Sequence, residues 1–217
     1  MPGEMSLSMR AVFAHNPRSL EVLYSGKDDI LYTSCDSTGV HSLISVICDF
    51  DSSYSFKPML LRILADAKKY DLSVELPVQE GINTRGICHS ACKYCDKEVA
   101  REILSWKGVM LHRVDEDGET GPCKLAEISK ANKQREAVDI LAILLECGYD
   151  VNYRFNDESP TLLERFMTAV NKNYDAIKYL IDHGADLNVK HSRKDMKLLE
   201  FAKQSKDRKL KMLLKTD

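Results

Sequence analysis

The sequence predicts an all-α solenoid, a single continuous array of stacked helix pairs joined by protruding turns or hairpins across 217 residues. Three observations predict it. Apolar residues recur at helical spacing in short blocks, a glycine closes most of those blocks, and acidic–glycine turns lead from each block into a second, shorter helical pattern. A helix pair this short cannot bury its own apolar stripe, so successive pairs must stack.

Taken in order, the first block is Met9 to Leu31, where LEVLYSGKDDILY places Gly26 as the stop. DSTGVHSLISVI (Asp36 to Ile47) opens with D-x-x-G-x-H, a tight turn followed by a short helix. Cys48 to Lys57 reads as an inserted loop. FKPMLLRILADAKKYDLSV (Phe56 to Val74) carries an apolar stripe without a glycine stop. EVAREILSWKGVMLHR (Glu98 to Arg113) stops at Gly108, and its tryptophan, Trp106, is expected to cover a gap between neighbouring pairs.

DEDGETGPCKLA (Asp115 to Ala126) repeats the turn-plus-helix opening, with Thr120 as the expected cap and Pro122 in the first helical turn. Its acidic run, Asp115 to Glu119, is expected on an exposed tip. VDILAILLECGYDVNY stops at Gly148, and YDAIKYLIDHGADLNVK stops at Gly184 after the stripe Ile177, Leu180 and Ile181. MKLLEFAKQSKDRKLKMLL (Met196 to Leu214) closes the array with a polar outer side.

These features resemble the ankyrin repeat: a turn, two antiparallel helices and a G-A-D-x-N exit, seen in GADLNVK (184–190) and nearly in GYDVNYR (148–154). The stops at 108, 148 and 184 lie 40 and 36 residues apart, against a family period of about 33. HSLI, GICH, GPCK and SPTL stand where the family has T-P-L-H. The resemblance implies an N-terminal capping repeat over 1–35, about four divergent repeats over 36–189, and C-terminal capping helices over 190–217. It also implies a non-catalytic protein–protein interaction module that uses turn tips and a concave helix face. The tips selected are Thr38, Val40, Asn83, Arg85, Asp117, Glu119, Asn156 and Glu158. Lengthened, degenerate repeats of this kind also occur in host-targeting effectors and adaptors, an alternative setting for the same binding role.

One stretch offers different chemistry. CHSACKYC (88–95) has the C-x3-C-x2-C spacing of a radical-SAM iron–sulfur loop, yet no series of alternating strands and helices follows it. Cys88, Cys92 and Cys95 could share one helix face as metal or redox ligands, with Cys123 as a further candidate donor. His89 would point about 100° away from Cys88. Aligned to the repeat, Cys88 takes the leucine position and His89 the histidine, while Ala91 and Cys92 take the paired alanines and Cys95 the usual glycine. The thiols are therefore read as packing residues and no cofactor is expected; a metal-binding or redox protein is the alternative.

With 44% hydrophobic and 29% charged residues and a net charge of −2, the chain makes no overall case for a nucleic-acid partner. Charge is uneven: +6 from Lys190 onward against −8 before it, the former read as a solvated helix face. Seven cysteines form no even disulfide framework, and no leader or membrane span is apparent, so the cytoplasm, the nucleus or a host cytosol is expected. No H-E-x-x-H, G-x-S-x-G or phosphate-binding glycine motif occurs, and an enzyme is not expected.

Overall fold

A computed structural model describes residues 5–36, 39–51, 53–76 and 85–214. Thr38 and Asn83 lie outside these residues. The chain begins with α1 (Leu7–Phe13), α2 (Pro17–Leu23) and α3 (Lys27–Leu31), then a hairpin of β1 (Thr33–Asp36) and β2 (Gly39–Ser42) with Cys35 opposite Val40. Helix pairs follow: α4 (Leu43–Phe50) with α5 (Lys57–Lys69), and α6 (Ile87–Tyr94) with α7 (Lys97–Leu104). A 3₁₀ helix (Gly121–Glu127) precedes α8 (Ala131–Glu146), and α9 (Leu162–Thr168) precedes α10 (Tyr174–Asp182). α11 (Leu198–Gln204) and α12 (Arg208–Leu213) end the array.

Two layers result. The inner helices α1, α4, α6, 3₁₀ and α9 each pack on the next, and the outer helices α5, α7, α8, α10 and α12 do the same. Fully buried Phe56, Ile63, Ile87, Ile103, Ile140 and Phe166 form a continuous seam between them. The α6–3₁₀ contact is the tightest, because a Cβ on Gly121 would stand 2.7 Å from the Cys88 carbonyl carbon and the His89 nitrogen. Gly121 is there because two backbones touch. Trp106 lies half-buried against this core.

Helix starts follow the side chains available. Asp96 caps α7 through the Glu98 and Val99 N–H groups, Thr161 caps α9, and Asn173 caps α10. Ser42 and Ser45 satisfy each other's N–H at the start of α4. Thr120 occupies a cap position, but its hydroxyl lies 2.8 Å from the Tyr149 hydroxyl and caps nothing, which corrects the expected cap.

Helix stops follow the left-handed conformation. Gly108, Gly148 and Gly184 have φ of +93°, +90° and +88°. After Gly148 and Gly184, the N–H groups of Tyr149 and Ala185 reach back to Leu144 and Leu180, each at 2.9 Å. α5 ends the same way without glycine: Asp71 has φ +51°, and Leu72 N–H bonds Ala67 at 2.9 Å. His15 does so after α1, and Cys95, at φ +52°, after α6. Gly26 differs from expectation, since it starts α3 and does not close a helix before an extended turn.

Cys48 to Lys57 is not an insertion. Cys48 lies within α4, and the turn after it is the link to α5, wound around buried Asp51. That carboxylate accepts from the N–H of Ser55 (3.0 Å) and Phe56 (2.8 Å) and from the Tyr94 hydroxyl (3.2 Å).

Candidate functional site

The turns that leave the outer helices form the most elaborated surface. Residues 114–120 make a short hairpin with Val114 bridged to Thr120. Its acidic run is split by burial: Glu116 and Asp117 are exposed, whereas Asp115 and Glu119 are turned inward. Asp115 accepts from the N–H of Asp117 (3.1 Å) and Glu119 (3.0 Å) and meets Lys124 at 3.1 Å. Burial alone would raise its carboxyl, but those N–H and ammonium contacts hold it below the ordinary value. Glu119 meets Arg165 of α9 at 3.0 Å, and burial still pushes its carboxyl up. Glu119 thus joins neighbouring pairs and is not an exposed tip.

A second turn, residues 153–160, leans on the first. A Cβ on Gly118 would lie 2.7 Å from the Ser159 hydroxyl, so the two tips are in contact. Asn156 organises this turn by accepting from the N–H of Glu158 (3.0 Å) and Ser159 (2.8 Å), while Glu158 stays exposed. Arg154 donates to the carbonyls of Ser159 (2.7 Å), Lys190 (3.0 Å) and Asp157. Arg85 pairs with Glu116 at 3.3 Å. The structure therefore gathers Arg85, Asp117, Asn156 and Glu158 around adjacent turns. Val40, on β2, is half-buried and stands apart.

Behind the tips lies a polar hub that sequence reasoning missed. The Glu75 carboxylate accepts from the N–H of Ile87 (3.2 Å) and Met110 (3.0 Å) and pairs with Arg113 at 3.2 Å, both side chains being buried. His112 stacks on Tyr149 (centroids 4.8 Å apart) and contacts Tyr153 (4.6 Å), while its Nε2 accepts from Asp150 N–H at 2.9 Å. No motif marks either residue; only the fold brings their partners close.

The cysteines of CHSACKYC point into the protein. Cys88 and Cys92 are fully buried and Cys95 is nearly so. Cys88 Sγ lies 3.9 Å from the Leu111 carbonyl and Cys95 Sγ 3.7 Å from that of Lys133. Burial raises the Cys92 thiol well above its ordinary value, Cys95 to about 12 and Cys123 to about 11. Among the described residues, no three His, Cys, Asp or Glu side chains converge as metal donors. His89 Nδ1 accepts from Gly86 N–H (3.2 Å), and its Nε2 reaches the Glu119 carbonyl (3.0 Å), so the ring is a backbone clasp between turns.

A family model described as the ankyrin repeat matches residues 166–192, from mid-α9 through α10 into the following turn. The crystal structure of an ankyrin repeat protein aligns with a TM-score of 0.63 and 15% identity, covering 98% of this chain and 98% of that chain. The fold is that of an ankyrin-repeat protein. A chain from the structure of a predatory endopeptidase from Bdellovibrio bacteriovorus in complex with an immunity protein aligns with a TM-score of 0.43 and 18% identity, covering 80% of this chain and 97% of that chain. No curated protein sequence matches.

In ankyrin terms, the threonine and histidine of T-P-L-H are the cap and third helical residue of each inner helix. Those pairs here are Ser42/Ser45, Gly86/His89, Thr120/Cys123, Thr161/Glu164 and Lys197/Glu200. Glu164 does a histidine's work. It is 2% exposed and accepts from Ser192 N–H (3.1 Å) in the next turn, where its carboxylate also meets His191 Nδ1 at 3.1 Å. No helix among the described residues is long and apolar enough to cross a membrane.

Proposed function

We propose that the protein is a non-catalytic binding module that captures a partner protein through its turn tips and inner-helix face. The observation that supports this reading best is the contact between turns 114–120 and 153–160, each wound around a side chain that accepts several backbone N–H groups. Such turns present their exposed side chains with little ordering entropy left to lose on binding. The binding residues we assign are Val40, Arg85, Asp117, Asn156 and Glu158, together with Thr38 and Asn83. In this reading, residues 1–35 and 190–217 act as caps and the repeats between them form the binding array, a soluble adaptor working in the cytoplasm, nucleus or a host cytosol.

The test is photo-crosslinking from residue 157, exposed on the second tip, in cell extract, comparing the otherwise native chain with a variant that also carries Asp117→Ala and Glu158→Ala. The captured protein is expected to be lost with unchanged helical circular dichroism. If every tip pair can be replaced without loss of capture, the reading is wrong.

A further inference from the structure

Leu210 is fully buried where α12 packs on α10 and α11. At about 100° per residue, Arg208 and Met212 fall on the opposite side of that helix, with Lys209 and Lys211 flanking them. Met212 is 69% accessible, and Arg208 and Lys209 are exposed. The end of α11 and the turn after it add exposed Lys203 and Lys206. We infer that this face docks on an anionic membrane surface, its lysines and Arg208 against the lipid headgroups and Met212 entering between them.

The charge of the face is not cancelled. Asp207 is the one carboxylate between Lys203 and Lys211, and it accepts from the Leu210 N–H (3.0 Å) and the Tyr174 hydroxyl (2.8 Å), with Lys172 at 3.7 Å. Among the described residues, none of Lys203, Lys206, Arg208, Lys209 and Lys211 forms an ion pair with a carboxylate. Adding Lys172 to these five, and Asp175 of α10 and Glu200 of α11 to Asp207, sets six cations against three carboxylates, a surplus of +3. Residues 215–217 contribute one side chain of each sign. A solvated face needs exposed polar groups of either sign, not a surplus of one sign around an exposed methionine.

The form of the face selects its occupant. The cations stand on the outward side of a helix and its leading turn, which suits a broad layer of charge. Four of the five are lysines, point charges that need no fixed acceptor geometry, whereas an arginine fork reads individual carboxylates. The rings beside them offer a nucleic acid no stacking surface, since Lys194 lies over Phe201 at 4.4 Å and Lys209 over Tyr174 at 5.4 Å. The −8 carried by the preceding residues also repels a long polyanion. A basic cluster of this size around an exposed apolar side chain matches an anionic leaflet. α11 carries the chain to this face from the turn at 190–197, which Arg154 joins to the tips through the Lys190 carbonyl. The membrane face and the tips therefore lie at opposite ends of that helix, and this inference stands apart from partner capture.

The experiment is co-sedimentation of the full chain with vesicles of phosphatidylcholine containing about one-third phosphatidylserine, beside vesicles of phosphatidylcholine alone. The chain is expected to sediment with the anionic vesicles only, and to release as salt rises from about 0.05 to about 0.15 M. Lys206→Glu plus Arg208→Glu is expected to weaken binding about tenfold or more, and Met212→Ser about threefold, with helical circular dichroism unchanged. The same charge change at exposed positions elsewhere, Lys27→Glu plus Lys107→Glu, leaves binding unchanged. No sedimentation with the anionic vesicles, equal sedimentation with both kinds, equal loss in the two double variants, or no loss with Met212→Ser overturns the inference. Binding of polyglutamate or a DNA duplex by a chain that ignores the vesicles would overturn it in favour of an acidic protein or a nucleic acid. Partner capture at the tips is read separately by the crosslink, so either reading can fail alone.

Discussion

Two histidines behave alike at the residue scale. A ring nitrogen of His89 and of His112 accepts a backbone N–H, from Gly86 and Asp150. A protonated ring nitrogen cannot accept, and burial pulls both imidazoles below their ordinary value. The unfolded chain therefore binds more protons as pH falls below about 6.5, so stability is full above that pH and is lost progressively beneath it. Denaturant unfolding at pH 7 and pH 5 should show this loss. His89→Gln should reduce the pH dependence while lowering stability at pH 7 by about 1 kcal/mol, the usual worth of a buried backbone hydrogen bond. Gly121→Ala should act at every pH. Its methyl would collide with backbone that cannot move aside, at a cost of about 1–3 kcal/mol seen as a lower denaturation midpoint.

Elements show what a sequence can and cannot disclose. Gly108, Gly148 and Gly184 were legible as stops because glycine alone enters the left-handed region freely. Asp71, His15 and Cys95 do the same work, and nothing in an aspartate's identity separates a helix stop from a solvated helix residue. Asp71→Gly should relieve that strain and raise stability by about 0.5 kcal/mol, measured as a higher midpoint with unchanged helicity. The tip Asp117 was legible as exposed, but Glu119, two residues on, was not legible as buried. Its partner Arg165 arrives from α9, 46 residues later in the sequence. Glu75 escaped notice for the same reason: it becomes a hub only when the distant N–H groups of Ile87 and Met110 are folded onto it. His89 was readable because it aligns with the histidine of the repeat, and one of its partners, Gly86, is local.

For the whole molecule, stability is a sum over neighbouring pairs, and the final pair reaches the rest through few contacts. α12 packs on α10, and Glu164 of α9 holds the turn at Ser192. Glu164→Ala would leave that N–H unpaired and cost about 1–3 kcal/mol. Its effect should stay local: amide exchange should quicken in α9 to α12 while α4 and α6 keep their protection. Uniform loss across the array would show that the repeats unfold as one unit.

The thiols described above as packing have a consequence of their own. Cysteines punctuate the array at α4 (Cys48), α6 (Cys88, Cys92) and the residue that ends it (Cys95), the 3₁₀ helix (Cys123) and the end of α8 (Cys147), and none of these six is in a disulfide. Of these six, only Cys147 is partly open to solvent. An alkylating reagent would therefore mark each site at the rate its own repeat breathes, Cys147 first and Cys92 among the last. The chain carries a ladder of native reporters, and a mass spectrum taken over time would read out where along its length the molecule comes apart.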